Sequence, residues 1–113
     1  MATIEEIKNA LNNWAKMLEN PEIAEEFEGY NKTMQFIFPD INLNLQLVFK
    51  DKTAKVVDGF NDKAEMSLKV NSDLFMGIST GDIDPMEAFM NGELKPKGDL
   101  ADLEKLEIFM DID

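Results

Sequence analysis

The first periodic signal in the chain is a set of apolar residues, Ile4, Ile7, Leu11, Trp14 and Leu18, that recur every three or four positions and so share one side of a helix. Thr3 stands before it with Glu6 three residues on, the spacing at which a hydroxyl and a carboxylate cap a helix start reciprocally. The helix ends before Pro21. Asn20-Pro21 then starts a shorter one, with Ile23 and Phe27 one turn apart and Gly29 as its stop. From Thr33 the period falls to two. Met34, Phe36 and Phe38, then Ile41, Leu43, Leu45, Leu47 and Phe49, then Ala54 and Val56, then Ala64, Met66, Leu68 and Val70 alternate with more polar neighbours. That pattern predicts four strands in a row, each with one buried and one wet face, and their short connections predict antiparallel pairing between neighbours.

Helical spacing returns after Val70. Asn71 is placed to cap a helix with Leu74, Phe75 and Ile78 inward and Gly81 beyond its end. Asp84 caps the next, a helix of little more than two turns with Pro85 at its first position and Gly92 after its last. Met86, Phe89 and Met90 fall at i, i+3 and i+4 on it, one apolar side. Glu93 to Lys97 reads as a fifth strand with Leu94 inward, and Pro96, which cannot donate to a ladder, assigns it to an edge. Asp99 caps a final helix with Leu100, Leu103, Leu106 and Met110 inward. No repeat or linker interrupts the series. The expectation is one domain over residues 1–113, of α/β class and α+β type: a five-stranded, mainly antiparallel sheet covered on one face by helices.

Composition narrows the chemistry. The chain has 113 residues, 44% of them apolar, enough for a core without disulfides, and it has no cysteine. It also lacks histidine, and all eleven basic residues are lysines. The usual neutral-pH base, the Ser-His and Cys-His nucleophiles, and the guanidinium fork for phosphates are therefore absent. A net charge of −12 predicts repulsion from nucleic acid and from anionic membranes through bulk charge. The absence of a signal-peptide pattern and of any long apolar run leads to the expectation of a cytoplasmic protein. Asp82, Asp84 and Glu87 do not match the oxygen-ligand spacing of a calcium loop, and capping accounts for the last two, so no metal or cofactor is expected. Lys50, Lys52 and Lys55, around a strand turn, read as a solvated edge that discourages sheet-to-sheet association, with steering of anionic headgroups as the alternative role.

The stretch FMGISTGDIDPMEAFMNGELKPKGDL resembles the sterol carrier protein 2 (SCP-2) family. The resemblance rests on Phe75, Thr80-Gly81, Asp84-Pro85, Ala88-Phe89, Gly92-Glu93-Leu94-Lys95 and Gly98-Asp99, and the NPE at Asn20 to Glu22 is similar to stand-alone prokaryotic members. Glu93 stands where the family usually has lysine, and Pro96 where it has a β-branched residue. The resemblance implies an apolar tunnel between sheet and helices that takes up fatty acids, acyl-CoA, phospholipids or sterols, with no catalytic residues. It turns the inward apolar positions, read alone as ordinary core, into an expected lining: Met34, Phe36, Phe38, Leu45, Leu47, Met66, Leu68, Phe75, Ile78, Met86, Phe89, Met90, Leu103, Leu106 and Met110. Eight methionines and eight phenylalanines suit such a wall, because methionine adapts to ligands of varied shape.

The reading is thus a non-catalytic carrier whose partner is a hydrophobic small molecule, with transient membrane contact, no nucleic acid, and a monomer or weak dimer as the oligomeric state. With only Lys8 and Lys16 against Glu5, Glu6 and Glu19, the first helix offers no basic docking face, so lipid delivery is expected to be indifferent to anionic lipid or slowed by it. Two alternatives remain: an accessory module for a lipid- or quinone-modifying enzyme with a small or filled cavity, and an enzyme using a desolvated carboxylate as base.

Overall fold

The computed structural model describes residues 1–109. Helix α1 (Ile4–Met17) begins with the reciprocal cap expected: the Glu6 N–H donates to Thr3 Oγ1 and the Thr3 N–H to Glu6 Oε1. It buries Ile7, Ala10, Leu11 and Trp14, whereas Ile4, at its open first turn, is exposed. Helix α2 (Pro21–Glu25) starts at Asn20, whose side chain accepts from the Glu22 N–H.

Strand β1 (Thr33–Phe38) ends at Pro39, which cannot extend the ladder, and a 3-10 turn over Pro39–Ile41 with left-handed Asn42 delivers the chain to β2 (Leu43–Lys50). Ile41 therefore lies before the strand rather than in it. Asp51 and Lys52 both have positive φ, the turn that matches strand twist, and lead to β3 (Thr53–Asp58).

The next strand, β4 (Met66–Lys69), corrects the expectation of unbroken antiparallel neighbours. The sheet order is β3-β2-β1-β4-β5, and β4 pairs with β1 in parallel, Met34 opposite Met66 and Phe36 opposite Leu68. The segment between Asp58 and Met66 crosses the back of β2 and β1 to get there, held by Gln35 of β1, a fully buried polar side chain. Gln35 Nε2 donates to the Gly59 carbonyl and Gln35 Oε1 accepts from the Asn61 N–H. Strand β5 (Lys95–Lys97) pairs antiparallel with β4 at the sheet edge, where Pro96 was expected.

The helices cover the other face. Helix α3 (Ser72–Ser79) is capped by Asn71 and by Asp40, which accepts from both the N–H and the hydroxyl of Ser72. Helix α4 (Pro85–Met90) is capped by Asp84, and α5 (Leu100–Lys105) by Asp99, before a closing 3-10 turn at Leu106–Phe109. Leu100, expected inward, is 44% exposed because it occupies the first position of α5, outside the packed turn formed by Asp102 and Leu103.

Candidate functional site

The front of the sheet is apolar along β1, β2 and β4, because the period-two pattern places Met34, Phe36, Phe38, Leu45, Leu47, Met66 and Leu68 on one side. All seven are buried, and Phe75 and Ile78 of α3 with Leu103 and Leu106 of the C-terminal segment close over them. These eleven expected lining residues form one cluster. Met86 and Phe89 are half-buried at its margin. Met90 departs from the expectation: it is 81% exposed, and α4 buries Pro85 and Ala88 instead. In so short a helix the small Pro85–Ala88 side allows close approach to the core, which moves Met86 and Phe89 to its margin and leaves Met90 outside. Met110 lies outside the described residues.

Sequence reasoning did not anticipate how the aromatic residues assemble. Trp14 stacks on Phe109 with ring centroids 5.0 Å apart and meets Phe75 and Phe36 edge-on at 5.3 and 6.4 Å. Phe27 stacks on Phe49 at 4.9 Å and on Phe109 at 5.3 Å. Phe109 thus joins two aromatic groups at the end of the C-terminal segment. The sequence signal for Trp14 was its place on the α1 stripe, but nothing local marked Phe109 as its partner.

Beside this stack, between α1 and α3, opens a cleft of about 360 Å³. Its apolar wall is Ala10, Trp14, Met17, Met76 and Phe109, and its rim is Glu6, Asn9, Asn13, Ser79 and Thr80. A volume of this size is at the lower end of small-molecule sites, and an apolar wall with a polar rim suits a ligand with a hydrocarbon body and a polar end. A larger groove, about 790 Å³, runs between α1 and β3, but Asn9, Asn12, Asn13, Lys16, Glu19, Thr53 and Lys55 make most of its lining. Hydrated amides and charges give hydrocarbon little reason to stay there, so the smaller cleft is the better candidate.

The C-terminal segment that carries Phe109 is held by a polar tie. Asp102, only 2% exposed, accepts from Tyr30 Oη at 2.8 Å and from Lys32 Nζ at 3.0 Å. Burial, and then the bond to Asp102, push the Tyr30 phenol well above its ordinary range, so it is a firm donor. Lys105 Nζ donates to the Glu26 carbonyl at 2.6 Å and lies 5.4 Å from the Phe27 and Tyr30 ring centroids. Asp102 is the buried carboxylate that an enzyme reading would need, and two donors already engage it. Among the described residues no group of three or more His, Cys, Asp or Glu is placed to hold a metal, and no helix is long and apolar enough to cross a membrane.

Comparison with known proteins agrees with this fold. The sterol carrier protein domain 2 of Helicoverpa armigera superposes with a TM-score of 0.73 at 16% identity, covering 99% of this chain and 96% of that one. UbiJ-SCP2, a ubiquinone synthesis protein, gives 0.72 at 15% identity, covering 93% and 90%. The stereoselective inverting sec-alkylsulfatase Pisa1 from Pseudomonas sp. gives 0.69 at 21% identity; 80% of this chain is covered, but it spans only 14% of the sulfatase. At these identities the likeness establishes the fold. A search of curated proteins finds no match. The model of the SCP-2 sterol transfer family matches residues 11–111, nearly the whole chain, and the protein belongs to that family.

Proposed function

We propose that this protein binds a single-chain or polycyclic lipid and transfers it, holding the apolar part between the sheet and the helices and admitting it through the cleft between α1 and α3. The observation that carries the reading is the cleft itself, whose apolar wall of Trp14, Met17, Met76 and Phe109 meets the buried core where Trp14 lies edge-on to Phe36 and Phe75. An acyl chain longer than the cleft extends inward when the Trp14–Phe109 stack parts, and methionine side chains around it readapt at little cost. Each buried methylene contributes about 0.8 kcal/mol. A 16-carbon chain therefore gains ~12 kcal/mol gross; association costs of ~4 kcal/mol or more leave an affinity of about micromolar or better. Hydrocarbon walls separate neighbouring chain lengths by only about one methylene's worth, so selectivity for chain length is low. The absence of cysteine fits action in the reducing cytoplasm.

Trp14 is the only tryptophan, so intrinsic fluorescence reports on the cleft directly. Titration with a long-chain fatty acid below its micelle concentration is expected to give a saturable change, reversed by acyl-CoA or a sterol. Native mass spectrometry of the protein taken straight from cells is expected to show a bound lipid. Ala10→Leu, which adds a larger side chain at the cleft wall, is expected to weaken fatty-acid binding about tenfold or more, at an overpacking cost of about 1–3 kcal/mol that chemical denaturation reads separately. If none of the three lipid classes competes well above micromolar, the carrier reading fails. The second reading then takes its place: an accessory module, favoured by the occurrence of the same fold as 14% of a sulfatase chain and in a ubiquinone synthesis protein.

A further inference from the structure

The lysines are not spread evenly over this acidic protein. Strand register assigns Lys50, Lys55, Lys69, Lys95 and Lys97 to the back of the sheet, away from the helices, and all five are exposed. The remaining back-facing strand positions are neutral: Thr33, Gln35, Ile37, Asn44, Gln46, Val48, Thr53, Val57 and Ser67. Asp58, the acidic strand residue, faces the helices, where it pairs with Lys8 at 3.1 Å. The five back-face lysines form no salt bridge among the described residues, whereas Lys8, Lys32 and Lys52 each do. Asp40, Asp62, Glu65 and Glu93 border the face; of these, Asp40 is turned to Ser72 and Glu65 accepts from the Thr33 N–H.

A second feature lies on the same face. Gln35 pins Gly59 and Asn61 against the back of β1, so Phe60 between them lies over the middle of the sheet, and the residue is 58% exposed. Lysines flank it on both sides, Lys50 and Lys55 toward one edge and Lys69, Lys95 and Lys97 toward the other.

We propose that the back of the sheet docks on an anionic lipid surface, with Phe60 inserted at the headgroup level and the five lysines against the lipid charges. Five exposed cations on one face call for a polyanionic partner. The projecting phenyl ring favours a bilayer over an acidic protein or nucleic acid, because an interfacial aromatic gains by entering the acyl boundary. The net charge of −12 does not oppose this pose. The acidic helices lie on the far side of a molecule whose smallest extent is 27 Å, and the screening length at physiological salt is about 8 Å. The helical cleft then faces away from the docked surface, so docking holds the protein at the membrane without covering the cleft. This face is independent of lipid uptake, and its test reads adsorption of the protein alone.

The test is cosedimentation of the purified chain with vesicles of phosphatidylcholine alone or of equimolar phosphatidylcholine and phosphatidylglycerol. Adsorption is expected only to the anionic vesicles and is expected to vanish at about 1 M salt. Lys69→Glu/Lys95→Glu is expected to weaken it about tenfold or more, and Phe60→Ser severalfold, while Lys8→Glu/Lys16→Glu, with the same change in net charge on the helical side, shifts it less than about twofold. Tryptophan fluorescence and thermal midpoints of each variant separate lost docking from lost folding. Equal adsorption to both vesicle types, none to either, or equal weakening by the two double variants overturns the proposal. Capture of polyglutamate without adsorption to vesicles also overturns it, and assigns the face to an acidic protein.

Discussion

Tyr30 concentrates most of what a single side chain does for this fold. Its hydroxyl supplies one of two donors to a carboxylate that is almost fully buried, and its ring lies edge-on to Phe27 and Phe49 at 5.8 and 5.3 Å. Tyr30→Phe keeps the ring contacts and removes the donor, leaving Asp102 with Lys32 alone. The expected cost is about 1–3 kcal/mol by chemical denaturation, the range for a buried acceptor that loses a partner. The same residue sets an alkaline limit. The folded state raises the phenol's pKa, so it favours the protonated form. That contribution is complete below the ordinary phenol value of about 10 and is lost as pH rises above it. Above about pH 10 the wild-type denaturation midpoint should therefore fall more steeply than that of Tyr30→Phe. Parallel slopes would show that Tyr30 ionises freely. Asp40 works in the opposite direction: the Ser72 hydroxyl holds its carboxyl below the usual range, so its support for α3 is present above that range and is lost as pH falls through it.

At the scale of elements, local chemistry was readable and long-range placement was not. Thr3-Glu6, Asn20, Asn71, Asp84 and Asp99 cap the helices where their spacing indicated, because a cap is decided within three residues. The alternation from Met34 to Val70 fixed which side chains face the core, and eleven expected lining residues do meet there. Alternation cannot choose a strand's neighbour, however, and β4 went beside β1 because the Gly59–Glu65 crossing is tied down by Gln35, whose partners are backbone groups far along the chain. The α4 stripe misled in part for a related reason: six residues present two sides, and tertiary packing buried Pro85 and Ala88, kept Met86 and Phe89 at the core margin and left Met90 outside. The join between β5 and α5 shows how closely such elements approach. Gly98 has φ of +125°, and a Cβ there would stand 2.6 Å from the Glu65 carbonyl oxygen and 3.2 Å from Met66 Cα. Backbone cannot move aside as a side-chain tip can. Gly98→Ala is expected to cost about 2 kcal/mol or more, and hydrogen exchange should show β5 and α5 losing protection ahead of β1 and β2. A variant as stable as wild type would mean that the edge strand is not held to β4 as described.

Over the whole molecule the controlling quantity is charge and its placement. A net charge of −12 within Cα extents of 34 × 30 × 27 Å makes the compact state repel itself. About half of the acidic excess lies with the helices, where Glu5, Glu6, Glu22, Glu25, Asp73, Glu87 and Glu104 sit on surfaces that carry few lysines. Added salt screens this repulsion more than it weakens the exposed ion pairs, since Met1–Asp73, Lys8–Asp58 and Lys52–Glu25 are solvent-facing and such pairs contribute at most about 1 kcal/mol each. The Lys32–Asp102 contact, whose carboxylate is buried although the lysine is half-exposed, responds less. Raising salt from about 0.02 to 0.5 M is therefore expected to raise the thermal midpoint by a few degrees, the equivalent of about 1 kcal/mol in a domain of this size. Salt acts on the back of the sheet with the opposite sign, releasing the lysines from an anionic surface. One variable thus separates two roles of charge: the helical side limits stability and is relieved by screening, and the sheet side is available for docking and is disabled by it. Neutralising the helical excess should mimic salt in the first respect alone. Glu22→Gln/Glu104→Gln is expected to raise the low-salt midpoint and flatten its salt dependence without altering adsorption to anionic vesicles by more than about twofold. A midpoint that falls with salt, or a double variant less stable than wild type, would mean that the ion pairs outweigh the repulsion and that the negative charge supports the fold.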